Sequence, residues 1–166
     1  MEASAEPHSE SASPQKTTTV VLADDHSFVR ETLRGLLEAE GGFQVIGETG
    51  DGLDAAQMLR SLEPNVAVVE IAMPGMNGLE LARQTCDSSL STRVVIYSLY
   101  ASRAYVLEAM RAGARACVSK TSSLNELVAA IRAVAAGGTY FSRPFPMPRR
   151  GRAQRRRRYW RDYVEE

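Results

Sequence analysis

Short β-branched apolar runs alternate five times with amphipathic helical stretches between Thr17 and Ala136, and that alternation restricts the fold more than any other feature of the chain. The strand-like runs are Thr17 to Ala23, Phe43 to Thr49, Asn65 to Ile71, Arg93 to Leu99 and Arg115 to Ser119. Between and after them the apolar residues fall at helical spacing: Val29, Leu33, Leu36 and Leu37 in the first helix, and Leu124, Leu127, Val128, Ile131 and Val134 in the last. Gly41-Gly42, Pro64, Gly113 and Gly137-Gly138 punctuate the ends. The third strand is apolar throughout, as a strand buried on both faces should be. Strictly alternating units of this kind imply parallel pairing, right-handed crossovers and helices on both faces of one sheet. In such sheets, ligands bind outside the carboxyl ends of the strands.

Chemistry-bearing residues collect at those ends. Asp24-Asp25 follows the first strand, and Glu70 follows the third, just before the turn Met73-Pro74-Gly75-Met76-Asn77-Gly78. Ser98 ends the fourth strand and Lys120 the fifth. Taken singly, each has an ordinary explanation. Acids ahead of a helix satisfy its free N–H groups, a lysine is usually solvated, and a serine can simply end a strand. His26 reads as a surface or capping residue, and Met73, Pro74 and Met76 as loop packing. Lys120 is nevertheless one of only two lysines in a chain that otherwise uses arginine, and a compact ammonium suits a point-charge role.

The four features in this order, with the Met73 to Glu80 run and the closing Ala133 to Phe141 run, resemble the receiver domain of two-component response regulators. The resemblance is strongest to the NarL/FixJ (LuxR-type) subfamily and covers residues 17–141. It implies a flavodoxin-like (CheY-like) α/β fold with a five-stranded parallel sheet in the order 2-1-3-4-5. It further implies a Mg²⁺ held by Asp24, Asp25, the acceptor carboxylate at position 70 and the backbone carbonyl of Ala72. Lys120 would then pair with the acceptor or the phosphoryl oxygens, and Ser98 would hydrogen-bond a phosphoryl oxygen. The implied role is phosphorelay signalling by partner binding, through the fourth helix, fifth strand and fifth helix, and not enzymatic turnover. A sensor histidine kinase or other signalling protein is the implied partner, with a homodimer as a further option. An aspartate-nucleophile phosphatase ranks last, because Asp24-Asp25-His26 lacks the Asp-x-Asp spacing.

Three positions depart from that pattern. The phospho-acceptor position holds Glu70 in place of aspartate, so the carboxylate reaches one carbon–carbon bond further into a site built for a shorter side chain. Phosphoryl transfer depends on positioning, and a displacement of ~1 Å can cost ~100-fold. The expectation is a site not phosphorylated in the ordinary way, with two outcomes open: a constitutive mimic of phosphate, or a silent site. A carboxylate carries one negative charge against the ~1.5 to 2 of a phosphoryl group. Cys117, three residues before Lys120, stands at the aromatic-switch position and cannot fill an aromatic ring's volume. Ser98 for the more usual threonine keeps the hydroxyl.

The third departure lies beyond Phe141. Residues 143–166 hold nine arginines against three acids, a net of +6 that the rest of the chain balances with −6. No periodicity there supports the helix-turn-helix that NarL/FixJ proteins carry, so a complete output domain is not expected within these residues. Residues 142–166 read as an Arg-rich disordered tail, and residues 1–16, rich in Ser, Ala, Glu and Pro, as another. The alternative function is a truncated or tail-mediated DNA-binding regulator, since arginine runs with Tyr159 and Trp160 can hold phosphates and stack bases. Cys86 and Cys117 have no metal or disulfide spacing. No apolar run reaches the ~20 residues needed to span a bilayer, and a cytoplasmic protein is expected.

Overall fold

A computed structural model describes residues 16–141, and the expectations for the two tails fall outside those residues. In chain order the elements are β1 (Thr18–Ala23), α1 (Ser27–Glu40), β2 (Phe43–Thr49), α2 (Gly52–Leu62), β3 (Val66–Val69), α3 (Gly78–Asp87), β4 (Arg93–Ser98), α4 (Arg103–Arg111), β5 (Ala116–Ser119), α5 (Leu124–Ala135) and β6 (Tyr140–Phe141). The sheet runs β2-β1-β3-β4-β5-β6 with every pairing parallel.

The side-chain alternation along β1 assigns the helices to faces. Val21 and Ala23 point into one apolar cluster with Val69, Ile96, Leu59 of α2, Leu81 of α3 and Ala109 of α4. Val20 and Leu22 point into the other with Val68, Val95, Leu33 and Leu37 of α1, and Leu127 and Ile131 of α5. Both faces of the central strands are therefore dry, which explains why β3 and β4 read as unbroken apolar runs. At about 25 cal/mol per Å² of apolar surface removed from water, these two layers hold the fold together.

Helix starts follow the sequence chemistry. Asp51 accepts the N–H groups of Leu53 and Asp54 at 2.8 and 3.1 Å, Asn77 that of Glu80 at 2.9 Å, and Ser123 that of Glu126 at 3.3 Å. At the end of α5, Gly137 takes φ +90°, and Gly138 N–H reaches back to Ala133 O at 2.8 Å. That left-handed closure is what a glycine after a helix supplies.

Two differences from the sequence expectation matter for the site. The sheet gains a sixth strand, because Tyr140 and Phe141 pair with Ala116 and Cys117 of β5. Two residues at an edge are too short to show any period. The third strand also stops at Val69, although apolar character continues to Ile71. Glu70 N–H still bonds Ala23 O at 2.8 Å, but the next two amides turn to the Glu70 side chain and leave the ladder.

Candidate functional site

The ends of β1, β3, β4 and β5 converge, and their polar residues meet in one buried cluster. Glu70, only 6% exposed, occupies its centre. Its Oε1 accepts from Ile71 N at 2.6 Å, from Ala72 N at 3.2 Å and from the Ser98 hydroxyl in a short hydrogen bond. Its Oε2 faces Lys120 Nζ at 2.6 Å. Both carboxylate oxygens are thereby engaged, three bonds on one and an ammonium on the other.

The backbone sets up this reach. Gly78 N–H bonds Ile71 O at 2.8 Å, folding the Met73–Asn77 turn back onto the strand end. A Cβ at position 78 would lie 2.2 Å from Glu70 O, so only glycine lets the start of α3 pass this close. Opposite, Lys120 is fixed by its own N–H on Ser98 O at 2.9 Å.

Lys120 bridges two acids. Its Nζ lies 2.5 Å from Asp24 Oδ2 as well as 2.6 Å from Glu70 Oε2, and its side chain is 11% exposed. Burial alone would lower the lysine's pKa, but hydrogen bonds to Asp24 and Glu70 and their charges outweigh it, so Lys120 stays protonated above its usual range. The ammonium also sits 5.9 Å from the centre of the Tyr97 ring. Burial, only partly offset by Lys120, raises the Tyr97 phenol.

The β1 corner has a different character. Asp24 is buried and its carbonyl accepts from Arg30 Nη1 at 2.6 Å. Asp24 Oδ1 takes His26 N–H at 2.9 Å. Asp25 and His26 are exposed, and His26 Nδ1 stands 3.0 Å from Asp25 Oδ1 and 3.4 Å from Asp24 Oδ1. His26 does occupy the N-cap position of α1, yet its side chain makes no capping hydrogen bond and turns to the acids instead. Neither aspartate caps the helix.

Among the described residues, the ligand atoms that gather within 4.8 Å are those of Asp24, Asp25 and His26, without Glu70. The fit to Mg²⁺ is consequently poor in one respect. The ion favours an octahedron of hard oxygens, and Asp24 and Asp25 supply two, but the third carboxylate has both oxygens bound elsewhere. Ala72 is exposed on the loop, its N–H directed at Glu70 Oε1.

Ser98 carries the site outward. While it donates to Glu70, its oxygen accepts from Tyr100 N at 3.1 Å. Tyr100 then packs on Tyr105 of α4, with ring centres 5.2 Å apart beside exposed Leu99. Sequence reading did not single out this pair, although two tyrosines five residues apart around a helix start were visible. Cys117 lies on β5 opposite Ile96, 1% exposed, and burial pushes its thiol from 9.0 up to about 11. No ring occupies that position, but its register partner Phe141 on β6 packs against the same apolar cluster.

A buried carboxylate, serine and lysine thus meet at the carboxyl edge of a parallel sheet in the order 2-1-3-4-5-6, and the response regulator receiver domain family model matches residues 20–132. The chain belongs to that family. It is 36% identical over 122 residues to the transcriptional regulatory protein YxjL of Bacillus subtilis, and 35% identical over 123 residues to the response regulator GacA of Pseudomonas aeruginosa. Each match covers 74% of this chain but only 56% and 58% of the relatives, so the chain spans just over half of their length. Among solved structures, the receiver domain of NarL from Mycobacterium tuberculosis superposes with TM-score 0.71 at 34% identity, covering 74% of this chain and 98% of that one. A LuxR-family regulator from Aurantimonas gives 0.71 at 35% identity, covering 75% and 89%. No helix among the described residues is long and apolar enough to cross a membrane.

Proposed function

We propose that this chain is an atypical receiver in two-component signalling, held by Glu70 in one state and acting through protein–protein contact without ordinary phosphorylation. The observation that carries this reading is the saturation of Glu70. Its oxygens take up Ser98, Lys120 and the amides of Ile71 and Ala72 at once. By family resemblance Ser98 and Lys120 are the groups that would otherwise meet a phosphoryl group.

Phosphoryl transfer is positioning plus neutralisation of oxygen charge. An incoming donor would have to strip Glu70 of a buried ion pair and three hydrogen bonds before its carboxylate could attack. Mg²⁺, which would supply charge neutralisation when bound, would rest on Asp24, Asp25 and the Ala72 carbonyl alone, and weakly. Because Ser98 and Lys120 are already drawn to a negative group, their contacts imitate part of a phosphorylated site while carrying less charge.

A sensor kinase or another signalling protein would bind at the face of α4, β5 and α5, in the cytoplasm, with a homodimer as a second assembly. Transcriptional output, named for relatives such as YxjL, would require nucleic-acid contact through residues outside those described. The protein is incubated with acetyl phosphate and Mg²⁺ and weighed intact by mass spectrometry. No phosphoryl mass gain is expected, whereas Glu70→Asp, which shortens the reach by one methylene, should gain one. Stoichiometric labelling of the unaltered protein at Glu70 would overturn the reading.

A further inference from the structure

We infer that the exposed ledge of Leu99, Tyr100 and Tyr105 is a docking site for this chain's own proline-rich segment, Arg143-Pro144-Phe145-Pro146-Met147-Pro148-Arg149. That segment follows β6 after a single serine and lies outside the described residues. The ledge borders the α4 side of the face assigned above to a partner, and to that extent the inference rests on that reading.

Isolated apolar side chains on a surface are ordinary. Here three large ones adjoin: Leu99, Tyr100 and Tyr105 are 68%, 48% and 38% exposed, and the two tyrosine rings meet at 5.2 Å between centres with planes tilted by 45°. Both rings have fixed roots. Tyr100 N–H bonds Ser98 Oγ, and Tyr105 stands in the first turn of α4 beside buried Val106. Aromatic surfaces of this kind recognise polyproline II segments, because that helix forms ahead of binding and little entropy is lost on docking. Prolines at positions 144, 146 and 148 favour the conformation and disfavour both a helix interior and a central strand. With ~3 residues per turn, Phe145 and Pro148 share one side of such a helix and supply an apolar face.

The topology delivers the segment to the ledge. β6 runs parallel to β5, so the chain leaves Phe141 toward the sheet edge at which α4 begins. Phe141 packs into the cluster that also holds Val106 and Ala109, which puts the exit on the α4 side of the sheet. The register sets Phe141 beside Cys117 and Cys117 beside Ile96. Phe141 is therefore two strand spacings, ~10 Å, from β4, and the step from Ile96 to Tyr100 adds at most ~14 Å along the strands. The combined distance is ~17 Å. At ~3.1 Å per residue, a polyproline path from Phe141 brings Pro146 and Met147 to ~16–19 Å, level with the rings. A tether this short holds the segment at an effective concentration in the mM range, enough to populate a weak contact. Docked there, it would cover part of the partner face, and Ser98 would link its footing to Glu70.

The test uses the full chain with a nitroxide on Ala153→Cys, in a Cys86→Ser background that removes the other exposed thiol; Cys117 is buried and escapes labelling. Amide NMR signals from Leu99 to Tyr105 should broaden several-fold more than in the same chain with Pro144, Pro146 and Pro148 all changed to Ser. Those changes lie beyond β6 and leave every helix and strand unaltered in sequence. Tyr100→Ser combined with Tyr105→Ser should abolish the difference, with circular dichroism verifying the fold. Equal broadening in the proline variant and its parent would sink the inference. Broadening passed from labelled chains to isotope-enriched unlabelled ones in a mixture would also sink it, since the ledge would then hold a second copy. Labelling by acetyl phosphate reports on Glu70 alone, so this docking and the unphosphorylated reading fail separately.

Discussion

The two acidic corners of the sheet edge are built from similar residues and reach opposite conditions. At the end of β3, Glu70 is buried, both oxygens of its carboxylate are engaged, and Lys120 supplies the opposite charge that it shares with Asp24. At the end of β1, Asp25 and His26 stand in solvent, and Asp24 alone is drawn inward by Lys120. The contrast follows from the neighbours each corner has, since Ser98, Lys120 and two backbone amides converge on Glu70. A buried charge must be paired and hydrogen-bonded, so reaching its partners locks it. Solvated acids face no such demand and stay open to ligands.

The sharpest way to break the contrast is to remove the shared cation. Lys120→Met keeps the stem but leaves Asp24 and Glu70 as uncompensated buried acids, and loss of one partner of such a pair costs about 3–5 kcal/mol. Chemical denaturation at neutral pH should show a loss of that size. The pH dependence has a definite sign. Lys120 is raised above its unfolded value, so its contribution is complete below that value and fades only as pH climbs through the folded one, above ~10.4. The Cys117 thiol, raised from 9.0 to about 11, loses stability over a neighbouring interval for the same reason: the folded state resists the ionisation that the unfolded chain allows. Wild-type stability should therefore fall on the alkaline side, and Lys120→Met should show a smaller fall, the share left to Cys117 and to the raised phenols of Tyr97 and Tyr140.

A smaller break separates charge from hydrogen bonding within the β3 corner. Ser98→Ala removes the donor to Glu70 Oε1 and the acceptor for Tyr100 N–H, but leaves the lysine and the two amides in place. A hydrogen bond to a charged group contributes about 1.5–3 kcal/mol. The expected destabilisation lies in that range, below that of Lys120→Met. Amide NMR shifts should also spread along Leu99 to Tyr105, because the Tyr100–Tyr105 ring pair hangs on the lost bond. Shifts confined to residues 97 to 99 would show that the pair is held independently of the site.

The contrast also explains what the sequence could and could not disclose. Periodicity exposed five of the six strands and all five helices, since burial on two faces leaves long apolar runs and one-sided burial leaves amphipathic ones. Tyr140–Phe141 escaped because two residues carry no period, and the end of β3 was overrun because Ile71, though apolar, gives its amide to Glu70. Spacing in an alternating fold sends every strand end to one edge, so Asp24, Glu70, Ser98 and Lys120 could be grouped from the chain alone. The direction of each side chain could not. Which way a carboxylate turns depends on donors brought from β4 and β5, and the aim of His26 depends on a helix start that no local rule distinguishes from an ordinary cap.

The smallest expected effect sits at the β1 corner and tests whether openness there is real. Asp25 is partly exposed, and its ionic neighbour is the solvated His26. Asp25→Asn removes one negative charge without creating a cavity or an orphaned buried group, and such surface changes usually fall within about 0.5 kcal/mol. With a chelator present, its denaturation midpoint should match that of the unaltered protein, in contrast to the loss for Lys120→Met. A loss above 1 kcal/mol would mean that Asp25 is coupled to the buried network through Asp24. The two corners would then be one electrostatic unit, joined through Lys120 and Asp24.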